Sequence, residues 1–195
     1  MKRSRTWVPV LLGVLAFLLT TVTLGALVAD WTLRNQEMDA LVTAVEQSEA
    51  QMTWTQDGVG LIFDGLEDPS QVTENSQLTL ELQGIAAEGR DRIKAAGDQV
   101  AAVRVSPWHQ DVLLAKQAYL QHNLAWQSYL DRAAKDALEF TLPQDEVNST
   151  FMEAEPLFRA AIPDPAGFSL DARVGLIFAE PESESGPTQE ARTAV

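Results

Sequence analysis

Residues 7–29, WVPVLLGVLAFLLTTVTLGALVA, carry no charge. Lys2, Arg3 and Arg5 precede them, and Asp30 closes them. A helix needs about 20 mostly apolar residues, each rising about 1.5 Å, to cross about 30 Å of hydrocarbon. The 23 residues here are enough to cross with some tilt. Trp7 and Trp31 bracket the run. Indole rings favour the headgroup level, so these two mark the membrane interface. Pro9 falls in the first helical turn, where a missing N–H costs little.

A cleaved signal peptide would have an apolar core of about 7–15 residues ending at a small-x-small site. The core here is longer, and Leu27-Val28-Ala29 puts a large residue at the first position of such a site. The run therefore reads as an uncleaved signal-anchor. Three cations lie before it and only Arg34 lies close after it. Cations stay on the cytoplasmic side. The expectation is a single-pass cell-membrane protein whose first partner is the lipid bilayer. Residues 1–6 lie inside and everything from residue 30 lies outside. Thr21, Gly25 and Ala29 recur every four residues, a small-residue stripe that would let two membrane helices pair.

The net charge of the chain is −14. Setting aside the three N-terminal cations leaves −17 on the remainder. So acidic a surface argues against nucleic acid or anionic lipid headgroups as partners. The absence of Cys removes disulfides, thiolate chemistry and sulfur-ligated metals together. Stability outside the membrane must then come from burial. Arg outnumbers Lys ten to four and Ala is abundant, a bias that suits a GC-rich bacterial genome.

Beyond the apolar run, Trp31, Met38, Val45, Met52, Val59 and Leu66 fall seven apart, with Leu41 and Ile62 at the second core position. Ser48 and Thr55 are polar gaps in that second row. Apolar residues at this period form one face of a long, coiled-coil-like helix. No proline interrupts from Val10 to Asp68, so the membrane helix is expected to continue outward. Gly58 and Gly60 leave its end open, near Asp57 or near Leu66.

Residues 66–76, LEDPSQVTENS, read as a connector, and Ser76 can cap the next helix. This second helix carries Leu78, Leu82, Ile85, Gly89, Ile93, Ala96, Val100 and Val103 on one face. Gly84, Gly89 and Gly97 either admit close neighbours or weaken it. Ser106 and Pro107 suit the N-cap and first position of a third helix. That helix has the clearest stripe: Trp108, Val112, Ala115, Tyr119, His122, Trp126, Tyr129, Ala133, Ala137 and Phe140. Helices over 31–66, 76–104 and 107–140 would each span roughly 44–54 Å. A shorter fourth, with Asp145 and Glu146 in its first turn, carries Val147, Phe151, Ala154 and Phe158, and Pro156 should kink or restart it.

The predicted fold is thus all-α: a transmembrane helix followed by an extracytoplasmic antiparallel bundle of three long helices plus a shorter fourth. The divisions are 1–6 inside, 7–29 in the membrane, 30–162 as bundle, 163–179 as loop with a short helix, and 180–195 as a disordered acidic tail.

Tyr119, His122, Trp126 and Tyr129 share the third-helix stripe and form the candidate ligand-binding set. The plainer reading of His122 is a core histidine bonded to a neighbouring helix. His109 lies two residues from Asp111, a spacing that does not share a helix face. No Glu-x-x-His or His-Glu-x-x-His motif occurs, so no metal and no cofactor are expected. Trp54 lies off the heptad stripe and is expected to pack under Phe151, Phe158 and Phe168. Gly58 and Gly60 lack the third glycine of a nucleotide loop, and no Gly-x-Ser-x-Gly elbow is present.

The expectation is a non-enzymatic module that binds a protein partner or a second copy of itself. The alternative is a small-molecule sensing bundle that signals through a partner membrane protein. Long helices growing from a membrane helix resemble, in pattern, the periplasmic sensor domains of bacterial receptors. Those domains feed a cytoplasmic output domain, whereas here only the first few residues lie inside. A pocket around His122 would favour sensing, and a filled core would favour the interaction module.

Overall fold

The computed structural model describes residues 7–66, 68, 72, 76–163 and 168–179, with the side chains of 7–11, 76 and 168 not described. The acidic tail, most of the first connector, the side chains of Trp7, Pro9 and Phe168 and the capping role of Ser76 lie outside the described residues. Among those residues the chain is all-helical: α1 (Trp7–Phe63), α2 (Ser76–Ala102), α3 (Gln110–Ala133), a 3-10 turn (Ala137–Thr141), α4 (Asp145–Ala161) and α5 (Phe168–Ile177).

The 57 residues of α1 form one unbroken helix. Its first half is long and apolar enough to span a membrane, with a mean hydropathy of 2.3 over its most apolar stretch and none of that stretch buried. The hydroxyls of Thr20, Thr21, Thr23 and Thr32 donate to the carbonyls four residues back, at 2.8–2.9 Å. Polar groups satisfied in this way cost little in hydrocarbon. From Glu37 onward one face of the same helix is buried, through Met38, Leu41, Val42, Val45, Ser48, Met52 and Thr55. Both Gly58 and Gly60 lie inside the helix, which ends at Phe63 as the amides of Asp64, Gly65 and Leu66 bond back to Gly60, Ile62 and Phe63.

The helices pack in register. Thr55 and Gln51 of α1 meet Gly89 and Arg92 of α2, while Glu37 meets Ser106 beyond the far end of α2. Residue numbers thus rise on one helix as they fall on the other. Arg90 pairs with Asp131, and Lys116 Nζ donates to the carbonyls of Ala101 and Val103, so α3 runs back along α2. Gln144 meets Tyr129 and Phe158 meets Tyr119, so α4 runs back along α3. One apolar core joins these helices. A smaller cluster of Val72, Leu82 and Ala137 closes the end farthest from the apolar run.

Two expectations about α3 are corrected. It starts at Gln110 rather than Pro107, because Ser106 spends its amide and hydroxyl on Glu37 and His109 takes the N-cap position without a side-chain bond. It ends at Ala133 rather than Phe140. Asp136 adopts an extended backbone, and its carboxylate accepts from the Leu138 amide, capping the 3-10 turn. Asp favours such local caps over a helix interior. The stripe continues regardless, since Ala137 stays buried and Phe140 half-buried. In α4 the helix does not restart at Pro156 but continues through it to Ala161.

α5 lies over α1 and α4. Leu170, Val174 and Phe178 point inward, and Phe178 stacks against Phe151 and Phe158. Arg173 fastens it to α1 with a two-pronged bond to Glu46 (2.7 and 2.6 Å) and further bonds to Asp39 (2.5 Å) and Thr43 (2.8 Å). Phe151 and Phe158 pack against Phe178. The Trp54 ring instead lies under the Arg92 guanidinium, 4.0 Å from its centroid.

Candidate functional site

The four stripe residues of α3 separate into two environments. Tyr119 and His122 belong to a buried polar layer, and Trp126 and Tyr129 line a cleft two turns on.

In the polar layer, Tyr119 Oη donates to Glu49 Oε1 at 2.7 Å. His122 Nδ1 lies 3.2 Å from both the Val147 carbonyl and the Thr150 hydroxyl. A carbonyl only accepts, so the neutral ring carries its proton on Nδ1. The Thr150 hydroxyl lies within reach of the carbonyls of Glu146 and Val147, which leaves it able to accept from the ring. His122 Nε2 faces Glu49 Oε1 at 3.9 Å. Phe151 and Tyr119 flank the ring, with centroids 5.0 and 5.7 Å away. On the other side of Tyr119, Asn123 Nδ2 donates to Ser48 Oγ at 2.7 Å.

Burial disfavours charge throughout this layer. It pushes Glu49 up to about 7, against the pull of the Tyr119 bond. His122 is pushed down to about 4 by burial, against the pull of the Val147 carbonyl. The Tyr119 phenol rises well above its ordinary value through burial and the nearby Glu49 charge. Between about pH 4 and about pH 7 a proton is thus held on the carboxyl and kept off the imidazole.

The cleft of about 190 Å³ is lined by Thr55, Gln56, Val59, Gly60, Trp126, Tyr129, Phe140 and Gln144. That volume is of the order that admits one benzene-sized ring, about 150 Å³. Trp126 and Phe140 each meet Tyr129 edge-on, with centroids 5.8 Å away. Gln144 Nε2 donates to Tyr129 Oη at 2.9 Å. Burial raises the Tyr129 phenol to about 12 despite that bond. The cleft depends on the early end of α3, because the 3-10 turn carries Phe140 over it and Gln144 follows as the N-cap residue of α4.

His109 is buried at the other end of the domain. Its Nδ1 lies 2.5 Å from Glu37 Oε2, and its Nε2 lies 3.2 Å from Asp30 Oδ1. Asp111 instead pairs with Arg34, which also donates to the Ala161 carbonyl. Burial raises the Glu37 pKa, but the bonds from His109 and Ser106 outweigh it and hold the carboxyl below its ordinary range. No group of three metal-ligating side chains occurs among the described residues.

In the apolar half, Gly25 has open space where a Cβ would stand, and Thr21 turns its hydroxyl onto the Phe17 carbonyl. Trp31, just after the run, is 42% exposed.

Sequence reasoning missed Glu37, Glu49, Asn123 and Arg173. One signal was available: Ser48 and Thr55 interrupt an apolar row, and a buried polar side chain needs a partner or a close backbone. Ser48 meets Asn123, and Thr55 faces Gly89. The chain matches no protein-family model, no curated protein and no solved structure.

Proposed function

We propose that this chain is a single-pass membrane module: an extracytoplasmic antiparallel helical bundle, carried on one helix out of the bilayer, that binds a protein partner or a second copy of itself. The observation that carries this reading is the unbroken α1, bare and apolar in its first half and packed into the domain in its second. The three cations before the span, against Arg34 alone close after it, support an inside N-terminus. Leu61 and Leu80 are exposed at the far end of the domain. That end lies about 45 Å along α1 from Asp30. Exposed apolar side chains at a free end suit a protein contact. The groups able to do chemistry, His109, His122, Glu37 and Glu49, are engaged between helices, which favours contact over catalysis.

The test places a photo-crosslinking residue at Leu61 and, separately, at Leu80 of the full chain in its native membrane. A discrete protein adduct from either position is expected. Lipid adducts alone, or none from both, would sink the reading.

The cleft at Trp126 and Tyr129 favours a second reading, a sensor for a small ring-bearing molecule. Native mass spectrometry of the detergent-purified full chain addresses it. A bound molecule that is lost on Trp126→Leu supports sensing, and an empty mass argues against it.

A further inference from the structure

The connection between α2 and α3 returns to the level at which α1 leaves its apolar run, and it is pinned there. Asp30 is the first charged residue after that run. Its Oδ1 accepts from Trp108 Nε1 at 2.9 Å and lies 3.2 Å from His109 Nε2. Two turns on, Glu37 holds the Ser106 amide at 3.0 Å, the Ser106 hydroxyl at 2.5 Å and His109 Nδ1 at 2.5 Å. Five bonds thus tie residues 106–109 to residues 30–37.

Trp108 is nonetheless 64% exposed. The indole has one polar group, its N–H, and Asp30 uses it. What remains exposed is hydrocarbon. Trp31, 42% exposed, sits one residue beyond Asp30, and Leu33 is also exposed. In water such a cluster is a liability. At a bilayer surface an indole is favoured, because its apolar body reaches the acyl boundary while its polar edge stays wet.

We infer that Trp108 is a second membrane contact, seated in the headgroup region of the same bilayer that α1 crosses, so that the domain rests on the membrane at a fixed tilt. The inference rests on the reading of α1 as a membrane span. The occupant of this surface is lipid because the surface is continuous with the apolar half of α1. A protein partner at this end would have to compete with the bilayer for the same level. The buried Glu37–His109 pair is then a positioning device that fixes the loop against α1.

The chain has no cysteine, so single-cysteine spin labelling of the full chain is clean. The protein is reconstituted in phosphatidylcholine vesicles, whose headgroups carry no net charge to repel the acidic domain. Labels are placed by Pro107→Cys, which keeps Trp108, by Val22→Cys within the span, and by Leu61→Cys at the far end. The readout is the ratio of oxygen to aqueous nickel-chelate accessibility. The label at 107 is expected to show a ratio several-fold above that at 61 and below that at 22. Adding Trp108→Ser should return the 107 label to the value at 61. A water-like ratio at 107 with a hydrocarbon ratio at 22 overturns the Trp108 contact and leaves the span standing. A water-like ratio at 22 overturns the span, and the contact with it. An unchanged 107 ratio in Trp108→Ser, with helicity retained by circular dichroism, overturns the role of the indole.

Discussion

Glu49 and His122 face one another across the α1–α3 seam, and burial shifts their proton affinities in opposite directions. Glu49 titrates near 7 in the folded chain against an ordinary 4.5, so the folded state holds the extra proton between those values. Its contribution to stability is fully present below pH 4.5 and is lost as pH rises to about 7. His122 titrates near 4 against an ordinary 6.5, so between those values the unfolded state holds the extra proton. Its contribution is fully present above pH 6.5 and is lost as pH falls to about 4. The two slopes oppose one another where the windows overlap. Single substitutions should unmask them. The melting temperature of Glu49→Gln relative to the unmodified chain should improve as pH rises from about 4.5 to about 7. That of His122→Asn should improve as pH falls from about 6.5 to about 4. Melting curves of both variants across that range check the signs, and parallel curves would show that neither group titrates as placed.

At the scale of the elements, three glycines of α2 look alike in the sequence and have different jobs. A Cβ on Gly89 would stand 2.5 Å from Thr55 Oγ1 and 3.3 Å from Thr55 Cβ, so the α1 side chain itself would have to move. On Gly97 it would stand 2.8 Å from Asn123 Oδ1. On Gly84 it would meet nothing within 4 Å. Gly84→Ala should therefore stabilise by about 0.5–1 kcal/mol, through helix propensity alone. Gly89→Ala should destabilise by about 1–3 kcal/mol through overpacking. Denaturant unfolding of the two variants decides this, and equal shifts would mean that α2 does not approach α1 so closely. Arg173→Ala should loosen α5 by about 1 kcal/mol, its ion pairs being part-exposed, and speed proteolysis within residues 164–179. The same elements mark how far the sequence could be read. The helices, the continuation of α1 past its apolar run and the buried stripe of α3 follow from periodicity, because apolar spacing records which face is covered. The end of α3 at Ala133 does not, because Asp136 stops it by a local cap while Ala137 and Phe140 keep the helical spacing. The partners of Glu37, Glu49, Asn123 and Arg173 were equally hidden, since the bonds between helices that hold them join residues 69 or more positions apart and leave no local pattern.

For the molecule as a whole, the question is whether the apolar half of α1 belongs to the fold. A soluble protein can contain a helix this apolar only by burying it. Here its most apolar stretch is entirely unburied, and side chains such as Phe17 and Val22 are about 70% exposed. Burial is worth about 25 cal/mol per Å² of apolar surface, and this half of α1 draws none of it from the domain. The packed half supplies its own core from Met38 to Met52, and the pins at Asp30, Arg34 and Glu37 all lie beyond the span. Removing residues 1–29 should therefore leave the domain intact. A fragment of residues 30–179 is expected to stay soluble without detergent, to melt in one cooperative transition, and to melt within a few degrees of the full chain held in detergent. Far-ultraviolet circular dichroism against temperature measures both. An unfolded or aggregated fragment would mean that the apolar half is a core helix. A folded fragment means that the apolar half lies outside the core, and that the acidic domain does not need it for stability.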